Sequence, residues 1–186
     1  MNYNPINPYK MTWEGANTLS IEFLQSCYSS MQQRMSDYHE QSTMITERAY
    51  KLLSINVTIL TLLCAYIYTF KDLAIHLIPS LALTFSMCFS IYYLLRIVLP
   101  RDYMPLGRTL EQLQVNEYAN HFNSEDESPE IQLRSLLYNE MNELEYSIKW
   151  QEQNNSHRIS LFSKSLHSII VGIIASAVFF IFCLLV

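Results

Sequence analysis

Residues 51–96 read KLLSINVTILTLLCAYIYTFKDLAIHLIPSLALTFSMCFSIYYLLR. Between Lys51 and Lys71 lie 19 residues, Leu52 to Phe70, without a charge. Between Asp72 and Arg96 lie 23 more, Leu73 to Leu95, which hold His76 and Pro79 but no formal charge. An α-helix rises about 1.5 Å per residue, so either run covers the roughly 30 Å hydrocarbon core of a bilayer. Lys71-Asp72 is too short to connect them by anything but a hairpin. A third apolar run, Ser168 to Val186, is again 19 residues long. Three membrane-spanning helices are expected.

Outward from these runs, the composition points to long helices. Three glycines in 186 residues are few for a sheet-rich or loop-rich enzyme. The mean hydropathy of +0.08 fits a chain that is part membrane and part soluble. A net charge of −5 does not suggest generic nucleic-acid binding, and its distribution matters more. Of the twelve Lys and Arg, eleven fall on one side of the implied threading and only Lys71 in the hairpin. Arg48, Lys51, Arg96, Arg101, Arg108, Arg158 and Lys164 cluster near the boundaries of the runs. The positive-inside rule then places the N-terminus and residues 100–165 in the cytoplasm, with the C-terminal Val186 outside or within the far leaflet. The first fifty residues hold no long apolar run, so no cleavable leader is expected. Cys27, Cys64, Cys88 and Cys183 form no CxxC pair and read as small apolar packing residues.

The expected fold is an all-α membrane protein with three transmembrane helices. Two of them continue into long parallel cytosolic helices that form a stalk. Residues 1–16 read as an irregular arm and 17–51 as a cytosolic helix capped by Asn17 and striped by Leu19, Phe23, Cys27, Met31 and Met35. Residues 52–99 form the hairpin. Residues 100–165 hold a Pro/Gly turn at Pro100 to Arg108, a helix near 109–122, an acidic loop at 124–128, and a helix starting at Ser128-Pro129-Glu130. In that last helix Leu133, Leu137, Leu144, Ile148, Ile159, Phe162 and Leu166 recur near heptad spacing, with Gln151 and Asn155 between them. Residues 166–186 form the third span. Each stalk helix would reach about 50 Å from the membrane, and its wide apolar stripe suits pairing with further copies.

Polar residues inside the spans are the candidate interior sites. Asn56 is costly in hydrocarbon unless a partner helix, or water in a pore, satisfies it. Ser80, Thr84, Ser86 and Ser90 spread around the second span without one polar face. Ser168, Gly172 and Ser176 lie four apart, a small-xxx-small pattern that lets helices approach closely, within one hairpin or between copies. Outside the spans Arg101, Arg108, Arg134, Lys149, Trp150 and Arg158 bring cations near aromatic rings, which suits a nucleotide or a short single strand; a helical surface with ordinary ion pairs would look the same. No HExxH, Walker A, GxSxG or Cys/His ligand cluster occurs, so no enzyme, metal or cofactor is expected.

The order of parts resembles a family of small membrane effectors in bacterial anti-phage operons of the CBASS, Pycsar and Hailong kinds, SLATT proteins among them. The likeness rests on Glu47-Arg48-Ala49 before a tight hairpin, on the Pro-Gly juncture at Pro100 to Arg108, and on a long helix with Asn155, His157 and Arg158 before the last span. It implies a homo-oligomeric channel or pore, controlled by a nucleotide or oligonucleotide that a partner nucleotidyltransferase makes. It transfers no ligand site. The competing expectation is a non-conducting membrane-anchored scaffold that recruits a soluble partner.

Overall fold

The structure, a computed structural model, describes residues 13–70, 74–99 and 129–185. Four helices occupy them: α1, Trp13–Thr18; α2, Ile21–Thr69; α3, Ala74–Val98; and α4, Pro129–Leu185. There is no strand among the described residues. α2, α3 and α4 are each long and apolar enough to cross a membrane. The Lys71-Asp72 turn, the Pro100–Arg108 juncture, the helix expected at 109–122 and the acidic loop lie outside the described residues.

The ends of the helices follow local chemistry. Asn17 was the expected cap, but it lies inside α1, part of the stretch expected to be irregular. Ser20 takes the role instead: its hydroxyl accepts from the Phe23 amide at 3.2 Å, and α2 begins at Ile21. The reason is that the chain breaks at Leu19-Ser20, so the free amides start there and not at Thr18. Pro129 opens α4 at the position where a missing amide hydrogen costs nothing, with Glu130 in the first turn. α4 then runs 57 residues without interruption, and α2 runs 49. Pro79 stands near the start of α3, where it forfeits one backbone bond.

The chain divides into two compact units, one containing the segments up to Glu40 and Glu152, the other Gln41–Asp102 with Gln153–Val186. In the first, Leu24, Leu137 and Met141 form a buried cluster flanked by Leu19, Cys27, Tyr28, Met31 and Leu133. Phe23, expected on this stripe, is 52% exposed. In the second, Ala49, Leu94, Ile97 and Leu161 are the buried cluster, flanked by Ile45, Leu52, Tyr93 and Phe162 among others. Leu161 takes the place expected of Ile159 and Leu166, which are exposed.

The buried line on α2 passes through Met35, Ser42, Ala49 and Asn56, and that on α4 through Gln151, Arg158, Ser165 and Gly172, each seven residues apart. A seven-residue repeat keeps a helix facing its partner along a left-handed supercoil. Leu24 and Leu161 are buried about half a repeat from these lines, whereas Phe23 and Ile159 beside them are exposed. Within the apolar segments the lines carry Asn56 and Gly172, and Ser42, Arg158 and Ser165 precede them. Large apolar side chains such as Leu62, Phe85, Ile173 and Phe182 stand on the outside. Helices in lipid have no hydrophobic gain from burying leucine, so close packing and hydrogen bonds must hold them.

Candidate functional site

Within the second unit the three long helices meet along a polar seam. Its first level is Arg158, 2% exposed. The guanidinium donates to the Ser42 hydroxyl at 2.5 Å, the Ser42 carbonyl at 3.2 Å and the Ile97 carbonyl at 3.3 Å, and also to the Thr46 hydroxyl. Ile97 lies in the last turn of α3, where carbonyls lack helical partners and the helix dipole is negative. Arg158 therefore ties α4 to α2 and to the end of α3. The planar guanidinium supplies several donors in fixed directions, which a lysine cannot.

The second level lies within the apolar segments. Asn56, 1% exposed, donates to the Ser90 hydroxyl at 2.6 Å, and Ser90 shares a hydrogen bond with the Ser165 hydroxyl at 2.7 Å. One residue from each long helix contributes. At the third level Ser86 donates to the Ser168 carbonyl while the Ser168 hydroxyl donates to the Ser86 carbonyl at 3.0 Å. Gly172 packs directly against Ser86, so closely that a Cβ on Gly172 would overlap the serine side chain. At the hairpin end the Tyr66 hydroxyl and His76 Nδ1 are 2.8 Å apart, and Phe70 packs on both rings at 4.8 and 5.3 Å.

The serines of α3 thus divide by role. Ser86 and Ser90, four apart, face the seam. Ser80 and Thr84 donate to carbonyls of their own helix at 2.7 and 2.8 Å. The expectation of no single polar face missed this because it counted hydroxyls and not the ones spent on their own backbone. Ser42, Thr46 and Ser165 were not singled out at all. The seven-residue lines through Asn56 and Arg158 are the signal that would have found Ser42 and Ser165; Thr46 lies one turn beyond Ser42.

Of the six cationic or aromatic candidates, Arg101 and Arg108 lie outside the described residues. Arg134 donates to the carbonyls of Ala16, Asn17 and Leu19 and pairs with Glu130 at 2.8 Å, so it closes the end of α1. Lys149 pairs with Glu145 one turn away, and Trp150 beside it is half-buried. Arg158 belongs to the other unit and to the seam. Arg34, not among the candidates, lies over the Tyr38 ring at 5.7 Å. Its hydrogen bond to the Tyr38 hydroxyl, first among the causes, raises its pKa further above the usual arginine value. Among the described residues no group of three or more His, Cys, Asp or Glu side chains is placed to hold a metal ion.

Comparison of the chain with protein-family models, with curated proteins and with solved structures finds no match.

Proposed function

We propose that this chain is a homo-oligomeric inner-membrane effector of bacterial anti-phage defence. It forms an ion channel or pore controlled by a nucleotide or oligonucleotide bound to helices on the cytosolic side. In this reading the N-terminus and residues 100–165 face the cytoplasm and the C-terminus lies outside. The observation that carries it is continuity: α2 and α4 each run unbroken from an apolar segment into a long polar one. A ligand that prefers one arrangement of the polar segments shifts the spans through covalent helix, with no joint to absorb the change.

The seam supports a pore built between copies and not through one chain, because Asn56, Ser90 and Ser165 satisfy one another. The outer faces of α2 and α4 agree with this, since only 6% of either apolar window is buried within the chain. The same seam favours the second reading, a non-conducting anchored scaffold for a soluble partner, since a sealed bundle needs no pore to be stable. Ion flux from liposomes holding the purified protein separates the two. The channel reading predicts flux that a cyclic nucleotide or short oligonucleotide turns on or off. Absence of flux under every ligand tested, from protein shown to be inserted, leaves the scaffold.

A further inference from the structure

Beyond Gly172 the bundle is no longer tight. Gly172 meets Ser86 directly, but one turn further along α4 the facing residues are Ser176 and Ala177. Their side chains are too short to fill the space toward Pro79 and Leu83. A cavity of about 340 Å³ opens there, lined by these four with Tyr66 and His76 among its walls. It is a groove more than an enclosed chamber. Its size falls within the roughly 300–1,000 Å³ of small-molecule sites. Most of the lining is apolar, and the Tyr66–His76 pair marks one end.

Position decides what fills it. The lining residues all belong to helices apolar enough to span a membrane. His76 is the third residue of α3 and Tyr66 lies in the last turn of α2, so the hydrogen-bonded pair stands at the boundary and the apolar wall extends inward. An apolar space does not hold water well, and left empty it forfeits the dispersion contacts of its walls. The material at its open side is lipid hydrocarbon. The pair supplies the polar contact. If tyrosine donates to Nδ1, the imidazole keeps its Nε2 hydrogen; if Nδ1 donates, the phenol keeps its own. Either way one neutral donor remains for an oxygen acceptor.

We propose that this cavity binds one acyl chain of a phospholipid from the surrounding bilayer, whose ester or phosphate oxygen accepts a hydrogen bond from the Tyr66–His76 pair. The inference rests on the spans lying in lipid and not on conduction. The test uses the full chain in phosphatidylethanolamine–phosphatidylglycerol vesicles containing a phospholipid with a diazirine on one acyl chain. After irradiation, adducts are mapped by peptide mass spectrometry. Labelling should concentrate severalfold on Leu83 and Ala177 relative to Phe85 and Phe89, which are exposed on the same span. Ser176→Leu should fill the space and cut labelling at Leu83 and Ala177 severalfold, and Leu83→Phe should separately do so at Ala177. Labelling at Phe85 and Phe89 should stay unchanged, which also shows that each variant is inserted and folded. Even labelling along the span, or cavity labelling that neither filling variant reduces, would overturn the proposal. So would exclusion of the probe together with cysteine cross-links between copies at Leu83, which would give the cavity to a second copy. Because vesicles without ion flux still report the labelling pattern, failure here and failure of the channel reading are told apart.

Discussion

At the residue scale, Asn56 and Arg158 make the strongest demands. An amide inside an apolar segment must find a partner, and Asn56 finds Ser90, which passes the bond to Ser165. Interhelical bonds of this kind contribute about 0.6 to 2 kcal/mol in lipid. Asn56→Ala and Ser90→Ala should each destabilise the bundle by about 1 kcal/mol in detergent unfolding. The double variant should show a coupling of about 0.5 to 1.5 kcal/mol, since both remove the same bond. Strict additivity would mean that the pair does not interact. Arg158 serves three helices, so Arg158→Ala should cost about 3 kcal/mol, as expected when charged hydrogen bonds are removed and their partners are left buried. Arg158→Lys should recover less than half of that, because a point charge cannot reach Ser42, Thr46 and the Ile97 carbonyl together.

At the scale of elements, the close approach of α4 to α3 depends on one missing side chain. Gly172→Ala places a methyl group on Ser86 and should cost about 1 to 3 kcal/mol through overpacking. Ser86→Gly removes the obstructing atoms and should restore much of the loss in the double variant, measured by thermal unfolding in detergent. No rescue would mean that the helices do not meet at this point. At the other end of the chain Arg134 closes α1. Arg134→Ala should speed amide hydrogen exchange in residues 17–24 while leaving exchange in α3 unchanged. The existence of the three long helices was legible in uninterrupted runs and capping residues, and α4 begins where Pro129 and Glu130 indicate. The faces were less legible. Phe23, Ile159 and Leu166 were expected to face inward and are exposed, whereas Leu24 and Leu161, one and two residues from Phe23 and Ile159, are buried. A shift of one or two residues turns the buried face of a helix by about 100° or 200°, and the partner helix decides it.

At the scale of the whole molecule, the partition between polar seam and apolar exterior explains what was hard to infer. Asn56 and the Ser168, Gly172, Ser176 stripe announced helix contacts, but a sequence does not say whether such contacts close within one chain or between copies. The structure pairs Asn56, Ser168 and Gly172 within one chain and leaves Ser176 at the cavity. The cationic candidates were found by proximity to aromatic residues, a pattern blind to partners on another helix, such as the carbonyls that Arg134 and Arg158 occupy. The central claim is the threading: α2, α3 and α4 cross the lipid, with the long polar segments of α2 and α4 on one side. It is tested most directly by labelling single cysteines in intact cells, after replacement of Cys27, Cys64, Cys88 and Cys183, with a thiol reagent that cannot cross membranes. Asp72→Cys should be labelled from outside, whereas Glu127→Cys should react only once the membrane is permeabilised. Labelling of Glu127→Cys in sealed cells would contradict the account.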